Sequence, residues 1–426
     1  MKRFLGLALA IALPFQALYP LTLEEAIASF MKSYPGIFAD YESVVAAIER
    51  IDAARSGYRP NIYALGQLGA ARLNSSILDE TFRRFPRSAT FNVTQPLYRG
   101  GRTVAALRRS KQDYLAESYL YEEAVGLLLQ ETATVYFDVI KEEEILKANE
   151  STVRFLSREL KAVQDRFDVG DVTLTDLSQS QSRLSGAEAR VTEAKGRLEI
   201  AKAVLERLIG IPVDHLERPT FDPEMPTSQE ELELRVHYMN KELKARSNSY
   251  NAALAFVKEI RGEMLPELNL DGYVQHNRDQ TIAGEYANEV VAELNLTLPI
   301  YTQGLPDARM REAEALARQE YFQMEEFERL LKERSVRAYQ ALITFDSQIT
   351  SFESQVKTNE VALDGVKQEE SAGLRTVLDV LNAEAEVLNA RVNLIEAVRN
   401  KFAAQLAILQ LQSALYERFF CHRDPI

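Results

Sequence analysis

The sequence has one cysteine, Cys421, and no tryptophan among its 426 residues. A single cysteine excludes an internal disulfide, so packing or assembly must stabilise the fold. No cysteine lies near the end of the N-terminal apolar run, so a lipid anchor on an N-terminal cysteine is not expected as a route to a membrane. After that run no segment approaches 18 uninterrupted apolar residues, so a membrane-spanning helix is not expected. The four histidines, His215, His237, His276 and His422, are scattered without ligand spacing, and neither a metal nor any other cofactor is expected. Acidic residues outnumber basic ones, 63 to 50, and no basic cluster occurs along the chain, which argues against nucleic acid as a partner. No nucleophile motif, phosphate loop or paired carboxylates stand out, and Gly100-Gly101 alone is too weak to read as a phosphate site. An enzyme is not expected.

What is present begins with Lys2 and Arg3 ahead of an apolar run from Phe4 to Leu13, with Ala17 as a small residue for cleavage. Residues 1–17 read as a secretory signal peptide. The remainder repeats itself. Asn92-Val-Thr-Gln-Pro96-Leu-Tyr98-Arg-Gly-Gly101 recurs as Asn295-Leu-Thr-Leu-Pro299-Ile-Tyr301-Thr-Gln-Gly304, with five identities in ten at a spacing of 203. At the same spacing Arg108 falls on Arg311, Tyr136 on Tyr339, Gly170 on Gly373, Asp176 on Asp379 and Leu208 on Leu411. A constant offset over more than a hundred residues implies two equivalent halves, 18–209 and 228–417, with a linker at 210–227 and a tail at 418–426.

Between Arg102 and Asp168 there is no proline and only one glycine, Gly126, which predicts one helix of about 65 residues and roughly 100 Å. Its counterpart runs from about Asp307 to Ala372. Each is followed by a glycine-containing break and a second helix, Thr173 to Ile209 and Thr376 to Glu417, giving helical hairpins over 102–209 and 307–417. The second helices carry a heptad seam, Leu177, Leu184, Val191, Leu198 and Leu205 in one and Val380, Val387, Leu394, Lys401 and Ile408 in the other. The later helix has a further apolar row, Leu381, Leu388, Ile395, Phe402 and Leu409, where the earlier has Ser178, Ser185, Thr192, Glu199 and Glu206. A helix with an extra face to bury predicts a layer of hairpins side by side.

Ahead of each long helix the period changes to two. Strands are predicted at Tyr63 to Leu73, Arg87 to Tyr98, Glu267 to Asn277 and Asn288 to Tyr301, with loops at Asn74 to Pro86 and Arg278 to Ala287. The strand pairs thus occupy 63–98 and 267–301, after helices at Thr22 to Gly57 and Ser228 to Gly262. Pro96 and Pro299 are expected to close the second strand of each pair, and Gly101 and Gly304 to supply the turns into the long helices. In the last strand Val290, Ala292, Leu294, Leu296 and Leu298 alternate with Glu289, Val291, Glu293, Asn295 and Thr297, the pattern of a membrane β-strand beside an aqueous lumen. Four strands cannot close a barrel, and open edges in lipid cost several kcal/mol per unpaired group. Three copies supply twelve strands. The alternative is an exported coiled-coil adaptor or scaffold whose small sheet never enters a membrane.

The order of helix, strand pair, long helix, glycine turn and heptad helix, with Gln95-Pro-Leu-Tyr-Arg-Gly-Gly101-Arg, Val169-Gly-Asp-Val-Thr-Leu-Thr-Asp176 and Ala372-Gly-Leu-Arg375-Thr-Val-Leu-Asp379-Val-Leu-Asn382, resembles the TolC-type outer-membrane efflux and secretion channels. The resemblance implies a fold that is mainly α with a β-barrel part. It implies a homotrimer in outer-membrane lipid, with a twelve-stranded barrel continuing into a periplasmic tunnel. It also implies a periplasmic adaptor and an inner-membrane pump or ABC transporter as partners, for efflux of small molecules or type I secretion. Two departures are the short tail after Glu417, which implies a reduced belt around the tunnel, and Asn382, which stands where some relatives carry a second aspartate.

The turns between the long helices carry the candidate site. Thr173-x-x-Asp176 and Thr376-x-x-Asp379 fit capping boxes after helices ended by Gly170 and Gly373. Capping accounts for both aspartates. Their place at the far end of a tunnel adds a second role, a constriction formed by Asp379 together with Asn382 and Arg375, with Asp176 further from the lumen. Arg375 is expected either to pair with Asp379, four residues on, or to link to a neighbouring hairpin.

Overall fold

The computed structural model describes residues 20–75, 80–280 and 284–420. The proposed signal segment, Cys421 and His422 lie outside them. Two compact units emerge. One is built from residues up to Phe38, Glu123–Asn240 and those from Leu331 onward, the other from Ala39–Glu122 and Lys241–Leu330. Each unit draws on both halves of the sequence.

The helices follow the sequence closely where nothing interrupts it. α1 (Leu23–Ser33) and α2 (Pro35–Arg55) replace the single helix expected at Thr22 to Gly57. The break falls at Tyr34, because Pro35 has no N–H for the ladder and restricts the residue before it. α3 (Arg102–Asp168) runs unbroken for 67 residues, and α4 (Leu174–Ile209) follows it. In the second half α5 (Gln229–Met239) and α6 (Lys241–Arg261) again divide one expected helix. Here Asn240, with a non-helical ψ of 123°, interrupts the ladder, and its Nδ2 donates to Leu411 O at 3.0 Å. α7 (Leu305–Ser371) also has 67 residues. α8 (Val377–Leu411) stops short of the expected Glu417, because Ser413 takes a left-handed φ of 52°, and α9 (Ala414–Phe420) follows.

The extra apolar row of α8 is where the helical unit is joined. Leu381, Leu388 and Leu409 are buried, and Ile395 and Phe402 partly so, while Ser178, Ser185, Thr192 and Glu199 on α4 are exposed. Leu381 and Val377 share one core cluster with Leu156 and Val163 of α3 and Leu184 and Ala187 of α4. Val380 and Val387 share another with Leu363 of α7. α8 therefore packs on its own hairpin partner and on the other hairpin, the layered arrangement predicted from the row. Polar ties follow both seams: Arg399 forks onto Asp138 of α3 at 2.8 and 2.9 Å, and Lys401 reaches Asp346 of α7 at 2.5 Å. Thr152 donates to Glu384 at 3.0 Å, and burial pushes that carboxyl above its usual pKa.

The linker is pinned by repeat-related tyrosines. Tyr136, fully buried, donates to Leu21 O at 2.7 Å and Glu217 O at 2.6 Å, and Tyr339 donates to Thr227 O at 3.0 Å. Phe221 of the linker lies edge-on to the stacked pair Phe137 and Phe402, whose centroids are 4.2 Å apart.

The second unit holds an antiparallel sheet in the order β1-β4-β5-β6, where β1 is Asn61–Leu68, β4 Arg87–Arg99, β5 Glu267–Arg278 and β6 Tyr286–Thr297. The segment expected as a loop after Leu73 is instead a hairpin extension, β2 (Ala71–Ser75) and β3 (Glu80–Arg84). Its register continues that of β1 and β4: Leu68 faces Arg87 and Ala71 faces Arg84, with Gly69 N donating to Pro86 O at 2.9 Å across the interruption. Pro96 does not close β4. It lies within the strand at a bulge before Tyr98, where its missing N–H is accommodated. Pro299 lies beyond β6, which ends at Thr297. Pairing sorts the side chains by face. One face carries the rows Ala64-Phe91-Val274-Val290 and Ile62-Val93-Gly272-Ala292, and the other carries Asn61-Thr94-Asp271-Glu293 and Leu65-Thr90-Gln275-Glu289. The apolar face is uncovered, with Val290 77% and Leu296 68% exposed.

The turns into the long helices use left-handed backbone at Gly100 and Gly101 and at Gln303 and Gly304. Gly100 has a second reason to be glycine, since a Cβ there would sit 2.3 Å from Gly262 O.

If the second apolar row of α8 carries the packing, Leu388→Ala should cost about 2–5 kcal/mol, the usual range for a buried leucine. Ser185→Ala, its repeat mate, should stay within about 0.5 kcal/mol as an exposed substitution does. Denaturant unfolding of both variants measures this, and equal losses would remove the meaning assigned to the row.

Candidate functional site

The two tip turns are built alike. α3 ends in a Schellman arrangement, Asp171 N donating to Arg166 O and Gly170 N to Phe167 O, both at 2.9 Å, and α7 repeats it with Leu374 N to Glu369 O at 2.8 Å and Gly373 N to Glu370 O at 2.9 Å. Gly170 and Gly373 have φ of 81° and 75°, and the space beside each is open, so backbone conformation alone calls for glycine. The capping boxes then start α4 and α8. Thr173 donates from N (3.0 Å) and Oγ1 (2.7 Å) to Asp176 Oδ2, and Asp176 N donates back to Thr173 Oγ1 at 3.2 Å. Thr376 and Asp379 do the same at 2.9, 2.8 and 3.3 Å.

These bonds set the charge state of the turns. The hydroxyl and backbone N–H of Thr173 hold Asp176 below the ordinary carboxylate range, with Arg166 adding to the effect. For Asp379 the backbone N–H and hydroxyl of Thr376 do so, with Arg375 contributing from a distance. Both aspartates are ionised at neutral pH.

Arg375 does not bridge to Asp379. Its Nε donates to Glu369 at 3.0 Å, across its own turn. Apart from Asn382, the links between hairpins come from residues that the sequence did not single out. Arg166 of α3 pairs with Glu370 of α7 as well as with Asp171, and both carboxylates raise its pKa. Arg183 of α4 donates to Asn382 Oδ1 of α8 at 3.0 Å, so Asn382 ties one hairpin to the other. Burial and the neighbouring Glu370 push Glu159 upward. The arrangement brings Asp171, Arg166, Glu370 and Glu159 to one inter-hairpin cluster and keeps Asp379 on the cap of α8. A row of three arginines spaced by seven residues, Arg183, Arg190 and Arg197, borders a groove between α3, α4 and α8 floored by Leu156, Leu381 and Leu388. That period was legible in the sequence, but its place on a groove was not.

A family model for outer membrane efflux proteins matches residues 41–211 and 238–413, most of both halves. The chain belongs to that family. It is 23% identical over 397 residues to the outer membrane efflux protein BepC of Brucella suis, covering 92% of this chain and 86% of that protein. It is 26% identical over 385 residues to the outer membrane protein TolC of Vibrio cholerae, covering 87% and 85%. The fold matches the Campylobacter jejuni CmeC outer membrane channel with a TM-score of 0.82 at 16% identity, over 92% of this chain and 85% of that one. This outer membrane efflux protein is thus located in the outer membrane, with its helices forming a large periplasmic part.

Because the two caps have the same geometry, Thr173→Ala and Thr376→Ala should each cost about 1 kcal/mol, within the 0.5–2 kcal/mol seen for lost N-caps. Thermal unfolding followed by circular dichroism checks the pair, and a clearly larger loss at Thr376 would mean that its turn bears a load beyond capping.

Proposed function

We propose that three copies of the chain close a twelve-stranded barrel in the outer membrane and continue as an α-helical tunnel through the periplasm. In this reading the protein is a passive exit duct for small-molecule efflux or type I secretion. A periplasmic adaptor joins it to an inner-membrane pump or ABC transporter, which supplies the energy and most of the selectivity, and no enzymatic step is involved.

The observation that carries the proposal is the four-stranded sheet. It has one exposed apolar face, one polar face rich in Asp271, Glu289 and Glu293, and two strand edges, β1 and β6, with no partner among the described residues. Water disfavours the apolar face and lipid forbids the edges. Pairing of β6 with β1 of the next copy satisfies the edges, and lipid then covers the apolar face. A water-soluble adaptor gains nothing from an exposed row such as Val290, Leu294 and Leu296.

The remaining sequence-based roles fit this frame. Residues 1–17 act as a signal for export, and 18–209 and 228–417 are the two structural repeats. The turns at Gly170, Thr173, Gly373 and Thr376 form the periplasmic mouth. There Asp379 makes a three-fold carboxylate ring in addition to capping α8, while Asp176 serves as a cap. Asn382, engaged by Arg183, and Arg375, engaged by Glu369, hold the mouth rather than line it.

The native mass of protein extracted in mild detergent should be that of three chains. A stable monomer or dimer removes the barrel. In planar bilayers Asp379→Ala should raise single-channel conductance and weaken cation selectivity, while Asp176→Ala should leave both unchanged. The same conductance and selectivity in the two variants would leave capping as the whole role of Asp379.

A further inference from the structure

Strand pairing gathers arginines that are dispersed in the sequence. Moving along the outward, apolar face away from the end where α3 and α7 begin, the rows led by Ile62 and Ala64 give way to Gly66-Ala89-His276-Asn288 and then to Leu68-Arg87-Arg278-Tyr286. Two further steps along the hairpin extension, past Phe85, Arg72 faces Arg83. Exposure shows that the face is kept through the interruption at Gly69: Arg83, Phe85, Arg87, Ala89 and Phe91 are exposed, and the residues between them are half-covered. Arg72, Arg83, Arg87 and Arg278 therefore share the outward face just past the apolar band. Leu68 (85% exposed), Phe85 (59%) and Tyr286 (69%) lie among them.

Two of these contacts are arginine directly opposite arginine, Arg87 with Arg278 and Arg72 with Arg83. Like charges facing each other across a ladder are destabilising, and this chain carries a net charge of −13. No acidic residue occupies an outward position in the rows from Ile62 to Arg72. Among the described residues none of the four guanidinium groups has an ion-pair partner. Aromatic and aliphatic groups interleaved with arginines at the edge of an apolar band suit a membrane interface. Guanidinium groups in adjacent positions suit phosphate, which they bind through paired N–H donors.

We propose that Arg72, Arg83, Arg87 and Arg278 form a lipid-facing site for the phosphate groups of a phosphorylated glycolipid in the outer leaflet, with Leu68, Phe85 and Tyr286 against its acyl and sugar portions. The site rests on the reading of the sheet as a membrane barrel wall. The bound phosphates neutralise the two arginine pairs, so the lipid stabilises the same hairpin that recognises it.

The test uses the intact protein purified in dodecyl maltoside and titrated with bisphosphorylated lipid A or with the same lipid enzymatically dephosphorylated. Native mass spectrometry counts the lipid retained. Wild type should prefer the phosphorylated form, and Arg87→Gln with Arg278→Gln should weaken its binding by about ten-fold or more, the equivalent of losing one charge-assisted contact. Adding Arg72→Gln and Arg83→Gln should abolish the preference, and Arg84→Gln, on the opposite face, should preserve it. Raising salt should weaken binding to wild type and leave the four-fold variant unaffected. Equal retention of the two lipids by wild type, or equal binding by wild type and the double variant, would overturn the site. If the four-fold variant does not fold, the double variant and the lipid comparison still decide. Failure of the underlying reading looks different: protein that does not insert into neutral phosphatidylcholine vesicles has no barrel, whatever its arginines bind.

Discussion

The burial of a second apolar face on α8 is the interaction on which the helical unit depends. A two-helix hairpin consumes one face of each helix, and α4 is built for that, with serine, threonine and glutamate where α8 has leucine, isoleucine and phenylalanine. Covering Leu381, Leu388 and Leu409 brings the two hairpins side by side, at roughly 1.5–3 kcal/mol for each leucine taken fully out of water. The polar contacts then fix the alignment, through Arg399 with Asp138 and Glu384 with Thr152 on one side and Lys401 with Asp346 on the other. The inter-hairpin ties at the tip, Arg166 with Glu370 and Arg183 with Asn382, exist because this packing has already placed the hairpin ends together.

The sheet obeys a different constraint. Among the described residues its backbone groups are paired except along β1 and β6, and its apolar residues look outward with nothing over them. In the proposed assembly a lipid surround covers the exposed face and further copies of the chain pair the open edges. At the edge of the apolar band the same pairing that satisfies the ladder stacks arginine against arginine, which turns a cost within one chain into affinity for an anionic surface.

The tip shows how a local rule and a proposed function share the same atoms. Asp176 and Asp379 are fully used as caps, with nearly identical geometry, and both are held ionised by the bonds that make them caps. A negative charge at the mouth of a pore therefore needs no strained or buried carboxylate. Arg375, positioned to offset that charge, is instead drawn to Glu369, and among the described residues Asp379 has no salt-bridge partner.

The local rules were legible in the sequence because each depends on neighbours in the chain. The absence of proline between Arg102 and Asp168 set the length of α3, glycine and Thr-x-x-Asp set the tip turns, and the repeat and the extra row of α8 announced two hairpins in a layer. Period-two patterning located β4 and β5 to within two residues. Sequence reading failed where a single residue's backbone decided, at Tyr34 before Pro35, at Asn240 and at Ser413, and where a strand pair ran on past an interruption into β2 and β3. Only the tertiary structure decided that Arg166 meets Glu370, that Asn382 meets Arg183, and that Arg72, Arg83, Arg87 and Arg278 share one face. Periodicity states which residues lie on a common face of one element, whereas register and packing between elements distant in sequence decide which faces meet.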